Sequence, residues 1–276
     1  MIPEPSLQAE PSAPSSAHLR ALQAIRNHEL RLALRHFPSP LNEGKRRTVL
    51  EIGAGTGQQA NIIETEGYQV FAIDLPESHY RAVRVHDVVE YDGRTIPLSD
   101  GSADIVFSSN VLEHIREIDD FLRETLRVMR ADGVAVHILP SSACRLWSIP
   151  SHYIWLARRV YQRLRGEIQK DRRDAGEGMP RTPSSAKDWF GTFFPLRHGE
   201  RGSTLTEAFY FSKYWWVRKF EQRGFKIIKV EPNHLFYTMA NAFSDSLDLT
   251  SRAQLSRLLG SACHIYLLQR SDSRLP

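Results

Sequence analysis

The chain has 276 residues, 41% of them hydrophobic and 25% charged, with a formal net charge of +4. That length suits one α/β domain with an insertion or two small domains, and the balance excludes a disordered or fibrous chain. No run of 18 apolar residues exists, so no helix is expected to span a membrane. Two cysteines, Cys144 and Cys263, stand far apart without a CxxC partner. They point to a reducing compartment and away from structural zinc. The 11 histidines show no H-x-E or HExxH spacing, so no metal site is expected.

The chain opens with MIPEPSLQAEPSAPSS, four prolines within 14 residues and no apolar h-region. It reads as a disordered lead-in and not as a secretory signal. A helix is expected from about Ala17 to His36, where Leu19, Leu22, Ile25, Leu30 and Leu34 make an apolar stripe. Next comes TVLEIGAGTGQQANIIETEGYQVFAID, Thr48 to Asp74. Val49–Ile52 is a short strand, Gly53-Ala54-Gly55-Thr56-Gly57 a tight turn, Gln58–Glu66 a helix stopped by Gly67, and Gln69–Ile73 a second strand ending on Asp74. Alternate glycines let backbone approach a ligand closely. Strand, glycine turn, helix, strand and acid is how an α/β sheet builds a nucleoside pocket. The third glycine of a G-x-G-x-x-G fingerprint would fall at Gln58, and no Gly-Lys-Ser/Thr follows for a phosphate loop.

Glu51-x-Gly53-x-Gly55-x-Gly57 resembles the first motif of class I S-adenosylmethionine-dependent methyltransferases. The resemblance implies that Glu51, Gly53, Ala54, Gly55 and Gly57 border the cofactor. It also implies that Asp74, beside Leu75, accepts hydrogen bonds from the ribose hydroxyls, a task suited to a carboxylate's paired acceptors. Val88-Val89-Glu90-Tyr91 can be strand three, leading into Asp92-Gly93 and Ile96-Pro97-Leu98. This run resembles the type 11 subfamily, which places Asp92 and Gly93 at the adenine. Asp87 is the rival if the strand is instead Val83–His86. The helix expected between strands two and three is short here.

Strand four, Asp104–Ser109, is continuously apolar, as in a buried parallel strand. It runs into Asn110-Val111-Leu112-Glu113-His114-Ile115, another piece resembling type 11, which implies Asn110 against the cofactor. His114 can serve as a base because a neutral imidazole accepts a proton near pH 7; holding the loop in shape is its other role. The helix Arg116–Arg130 buries Ile118, Phe121, Leu122, Thr125, Leu126 and Met129, and its charges read as a solvated face. Asp132-Gly133 turns into strand five, Val134–Leu139. Later, Ser212 caps a helix Lys213–Arg223 closed by Gly224. Phe225–Val230 and Cys263–Leu268 are strands six and seven, with a helix Ser251–Leu259 between.

Ser141 to Phe211 is the remaining insertion. It carries Trp147, Trp155 and Trp189, and 12 Lys/Arg against 6 Asp/Glu up to Arg201. Ile154–Arg165 reads as a basic amphipathic helix, either a contact for an anionic membrane surface or a packing helix. Asp171–Pro183 reads as a loop. Arg145, Arg197 and Arg201 are available to grip phosphate or carboxylate, and His152 is a second candidate base.

The expected organisation is a lead-in at 1–16, a cofactor-binding half at 17–140, an inserted basic aromatic cover at 141–211, and a C-terminal completion at 212–276. The expected fold is α/β and Rossmann-like: a seven-stranded, mostly parallel sheet with an antiparallel last strand, helices on both faces, and the cover after strand five. The implied activity is methyl transfer from S-adenosyl-L-methionine to a small-molecule, lipid-linked or glycan acceptor, on oxygen. A cytoplasmic location is expected, with peripheral contact at the inner membrane face through 154–165. A catalytically silent cofactor-binding scaffold is the alternative. A nucleic-acid methyltransferase fits less well, because Asn110-Val111-Leu112-Glu113 lacks the Asn/Asp-Pro-Pro-Tyr pattern.

Overall fold

The computed structural model describes residues 17–78, 80–164, 197–238 and 247–271. The expected lead-in at 1–16, the expected loop Asp171–Pro183, Trp189 and Arg165 lie outside them. The first helix, α1, spans Ala17–Leu34, and a two-strand hairpin pairs Leu41–Asn42 with Lys45–Arg46. The main elements then follow as β1 (Thr48–Ile52), α2 (Gln58–Thr65), β2 (Gln69–Asp74), β3 (Val88–Glu90) and β4 (Ala103–Ser109). After these come α3 (Ile118–Val128), β5 (Met129–Pro140), α4 (Ser142–Leu164), α5 (Glu207–Tyr210), α6 (Lys213–Gln222), β6 (Phe225–Pro232), α7 (Leu249–Leu259) and β7 (Cys263–Arg270).

The seven strands lie in the order β3-β2-β1-β4-β5-β7-β6. All run parallel except β7, which is antiparallel to both β5 and β6. The chain steps outward from β1 to β3, then restarts at β4 on the other side of β1. The carboxyl ends of β1 and β4 therefore flank the switch point where open α/β sheets bind ligands.

Side chains of a strand alternate between faces, and both faces of this sheet are covered. Leu50, Ile52, Val106, Ala135 and Leu139 pack with Phe121 and Leu122 of α3 and with Trp216 and Phe220 of α6. Val49, Ile105, Phe107, Val136 and Ile138 pack with Leu30 and Ala33 of α1 and Ile63 of α2. Double coverage explains why β4 reads as an unbroken apolar run. Among the described residues no helix is long and apolar enough to cross a membrane.

The short helix expected between β2 and β3 is, among the described residues, a 3-10 turn, Arg81–Val83. Three other local expectations change. α3 passes straight into β5 without a turn at Asp132-Gly133: Ala103 pairs with Met129 and Ile105 with Val134, so residues 130–133 bulge out of the ladder. The charges of α3 do more than face solvent. Arg127 donates to the carbonyls of Ile96 and Leu98, Glu124 accepts the Ile96 N–H, and Asp119 pairs with Lys219 and Arg223 of α6. Finally, the expected helix Ile154–Arg165 is the second half of α4, which starts at Ser142 and continues through Pro150. A proline inside a helix deletes one i−4 hydrogen bond and usually marks a break; here the helix runs on.

A pocket edge built by the ends of the central strands

The glycine turn leaves β1 with Gly53 at φ +69° and Gly57 at φ +77°. A Cβ on Gly53 would meet Val111 Cγ2 at 2.5 Å, and one on Gly57 would meet His86 Cβ at 2.6 Å. Glycine is required at both on two counts, backbone conformation and space. The N–H groups of Gly53 and Ala54 donate to the Ile73 carbonyl of β2 at 2.9 and 3.0 Å. Asp74 closes the arrangement, its Oδ2 accepting the Gly55 N–H at 3.0 Å and its Oδ1 the Leu75 N–H at 2.8 Å. The acid at the end of β2 is thus aimed at the turn by the turn's own backbone.

Beneath the turn, Glu51 is buried, and its Oε2 has no hydrogen-bond partner. Burial first, and the nearby Asp74 second, push its pKa up to about 8 against an opposing hydrogen bond from the Ala60 backbone. A cation brought into the turn would favour the ionised form of such a carboxyl. An orphaned buried acceptor and a cradle that a Cβ would fill both suit a cofactor carrying an ammonium group.

At the edge of the sheet, Asp92 follows β3 while Asp87 precedes it, so only Asp92 stands at the carboxyl ends of the strands. Its Oδ1 accepts the N–H groups of Arg94 and Thr95, both at 2.8 Å, and these bonds hold its pKa down. Leu75 and Gly93 meet, with Leu75 Cδ2 3.0 Å from where a Gly93 Cβ would be.

On the opposite flank Asn110 follows β4 with φ +56°, donates from Nδ2 to Ser109 Oγ and contacts Cys263 Sγ at 3.5 Å through Oδ1. Cys263 in turn meets the Tyr237 hydroxyl, which donates to buried Glu29 of α1 at 2.6 Å. A polar chain therefore links the leading helix to the β4 turn. Val111 lies on Gly53, and Leu112–His114 forms a 3-10 turn.

His114 comes together with residues that no local pattern pointed to. Its Nε2 lies 3.8 Å from Glu113 Oε1, and its ring meets that of His198 edge-on at 4.7 Å between centroids. Both residues keep exposed surface, but desolvation by the surrounding chain lowers the pKa of His114, opposed by Glu200, and lowers that of His198 with help from His114, so both shifts favour the neutral imidazole. Glu113 is buried, and burial raises its carboxyl to about 8. The expectation of no metal site rested on spacing along the chain, whereas His198 is brought to Glu113 and His114 from 84 residues away by the fold. Glu113 was visible as the glutamate of Leu-Glu-His; His198 had no signal in the sequence.

The arginines have other work. Arg145 is buried in an ion pair with Glu207 at 2.8 Å and donates to the Thr204 carbonyl. Arg201 donates to the Ile115 carbonyl and lies over the Trp215 ring, and Arg197 pairs with Glu200 at 3.7 Å. His152 is buried in α4, its ring against Tyr153 and Trp155.

Comparison with known proteins places this geometry. Residues 50–137 match a family model described as a methyltransferase domain. An uncharacterized methyltransferase of Mycobacteroides abscessus is 30% identical over 195 residues, 63% of this chain and 70% of that protein. A Mycobacterium tuberculosis protein named "Probable S-adenosylmethionine-dependent methyltransferase" is 34% identical over 99 residues, and the alignment spans only 36% of its length. In fold, the chain is similar to an S-adenosylmethionine-dependent methyltransferase from Mesorhizobium loti, with a TM-score of 0.50 at 14% identity, over 88% of this chain and 98% of that one.

Proposed function

We propose that this chain, which belongs to the class I S-adenosylmethionine-dependent methyltransferases, holds its cofactor across the ends of β1, β2 and β4 and methylates an oxygen of a small-molecule, lipid-linked or glycan acceptor. The observation that carries the site assignment is the closure of the glycine turn by Asp74 beside the unpartnered Oε2 of Glu51. Bound S-adenosylmethionine supplies a methyl group on a sulfonium whose positive charge disappears as the methyl leaves.

The chain's own part is to bind, align and exclude water. Each Asp74 oxygen keeps a lone pair beyond its backbone bond, and these two acceptors suit the ribose hydroxyls. Glu51 offers its unpartnered Oε2 to the cofactor's amino group, whose positive charge favours ionisation of a carboxyl that otherwise keeps its proton. Gly53, Ala54, Gly55 and Gly57 let the backbone close on the amino-acid end, with Asn110 facing it from β4. Leu75, Gly93 and Asp92 border the adenine, Asp92 with its second oxygen, since Oδ1 holds its own turn. Alignment of acceptor, methyl carbon and sulfur in a water-poor site supplies most of the rate. His114, whose lowered pKa favours the neutral ring, is the first candidate to take the acceptor's proton. His152 is the second base candidate.

The described parts of the insertion, α4 and residues 197–211, are the candidates for a cover on the acceptor side. α4 exposes Leu146, Tyr153, Ile154 and Tyr161 along with Arg158. Apolar and basic groups on one exposed helix support a peripheral contact with an anionic membrane surface, which fits a lipid-linked acceptor. The test is an untargeted one: purified protein and methyl-labelled cofactor are added to host extract, and the labelled fraction is identified. Label in an O-methyl group of a lipid or glycan supports the proposal. Label confined to nitrogen, carbon or nucleic acid would overturn the acceptor assignment.

A further inference from the structure

We propose that Glu113, His114 and His198 form a site for one divalent transition-metal ion. Their ligand atoms all lie within 4.8 Å of one another. Donors sharing one ion at about 2.0–2.2 Å stand up to about 4.4 Å apart. Both rings are exposed enough to turn through the remainder. Two imidazoles and one carboxylate are a borderline donor set that suits zinc, iron, cobalt or manganese, and it leaves coordination positions open.

The second observation is Glu113 itself. Its side chain has 0% exposure, and neither carboxylate oxygen has a hydrogen-bond partner. Buried polar atoms without partners are rare in native folds, and a bound cation would satisfy both oxygens. Arg201 does not fill that role; it is spent on the main-chain carbonyls of the turn.

The cluster is also held in place from outside. Glu207 Oε1 accepts the N–H groups of His198 and Gly199 at 2.8 and 2.5 Å, and Glu207 is itself fixed by Arg145. The Glu200 N–H donates to the Glu113 carbonyl at 3.0 Å. The loop carrying His198 is thus sewn to the turn carrying Glu113 and His114, as supporting contacts do around metal ligands.

What the ion would do rests on the methyl-transfer reading, although its binding does not. The cluster begins two residues beyond Val111, which packs on the glycine turn. A hydroxyl coordinated there loses its proton to water more readily. The oxygen then forms a bond to the methyl carbon as the carbon–sulfur bond breaks and the sulfonium becomes a neutral thioether. The Nε2 lone pair of His114 would be occupied by the ion, so His114 is a ligand in the metal-loaded protein, and the base role given to it above belongs to the metal-free protein.

The test uses untagged full-length protein stripped with chelator. Co2+ is titrated by its visible absorption and Zn2+ by calorimetry, and S-adenosylmethionine is titrated separately. The wild type is expected to bind one Co2+ per chain, with at least tenfold weaker binding in His198→Ala and in Glu113→Gln. Cofactor affinity in His198→Ala is expected to stay unchanged, which shows that the variant is folded. A wild type that ignores both ions, a response to Mg2+ alone, or undiminished binding by His198→Ala would overturn the proposal. Metal binding without cofactor binding would instead overturn the methyltransferase site and leave the metal site standing.

Discussion

Glu51 and His137 are both buried, and their protonation pulls stability in opposite directions with pH. Glu51 has its carboxyl raised from 4.5 to about 8, so between those values the folded chain keeps a proton that the unfolded chain has lost. Stability then falls as pH rises through this window, by an amount on the order of a few kcal/mol. His137, lowered from 6.5 to about 3 by burial, contributes stability that is present above pH 6.5 and lost as pH falls toward 3. Glu51→Gln removes only the first effect. The variant should melt above the wild type at pH 9 and equal to it near pH 4.5; an identical gain at both pH values would show that the carboxyl is not responsible. At this scale the sequence was most informative where chemistry and chain neighbours coincide. The glycines, Glu51 and Asp74 sit within 24 residues, so their spacing alone brings them together. Asp92 was legible by position, but not the use of its Oδ1 in its own turn. His198 was not legible at all, because its partners are set by packing.

Helix α3 shows how an element can be read correctly on one face and too simply on the other. Its apolar stripe is buried as the 3.6-residue period dictates. Its charged face holds neighbouring segments, and periodicity has no way to distinguish a tethering arginine from a solvated one. Arg127 bonds to Ile96, Leu98, Asp100 and Glu124. Arg127→Ala should lower stability by about 1–2 kcal/mol in a denaturant titration, with faster amide exchange concentrated in 94–101. Uniform exchange changes across the domain would contradict a local tether. The helix α4 was half legible: only its second half, from Ile154, was expected, whereas it starts at Ser142 and runs through Pro150. If α4 docks on lipid, replacing Arg158, Arg159, Arg163 and Arg165 by Gln should weaken binding to anionic vesicles by about 1 kcal/mol per charge near the surface. Wild-type protein that leaves such vesicles untouched at low salt would make α4 a packing helix.

For the whole molecule, the sheet order follows from a few features of the chain. Short apolar strands separated by helices force parallel crossovers, and the doubly covered sheet needs apolar residues on both strand faces, as β1, β4 and β5 supply. The antiparallel direction of β7 was foreseeable from the resemblance of the whole pattern, more than from any local signal, whereas its insertion between β5 and β6 is seen only in the structure. The surroundings of the β4 turn resisted reading for the opposite reason: Glu113, His198, Arg145 and Glu207 meet only where residues 197–207 pack beside that turn and α4. The central claim is that the cofactor binds where Asp74 closes the glycine turn, and calorimetric titration of S-adenosylmethionine into wild type and Asp74→Ala tests it most directly. Loss of two charge-assisted acceptors, at roughly 1.5–3 kcal/mol for a hydrogen bond to a charged group, predicts one site per wild-type chain and an affinity at least about tenfold weaker in a folded variant. Equal affinity in the two proteins, or no binding by the wild type, would contradict it.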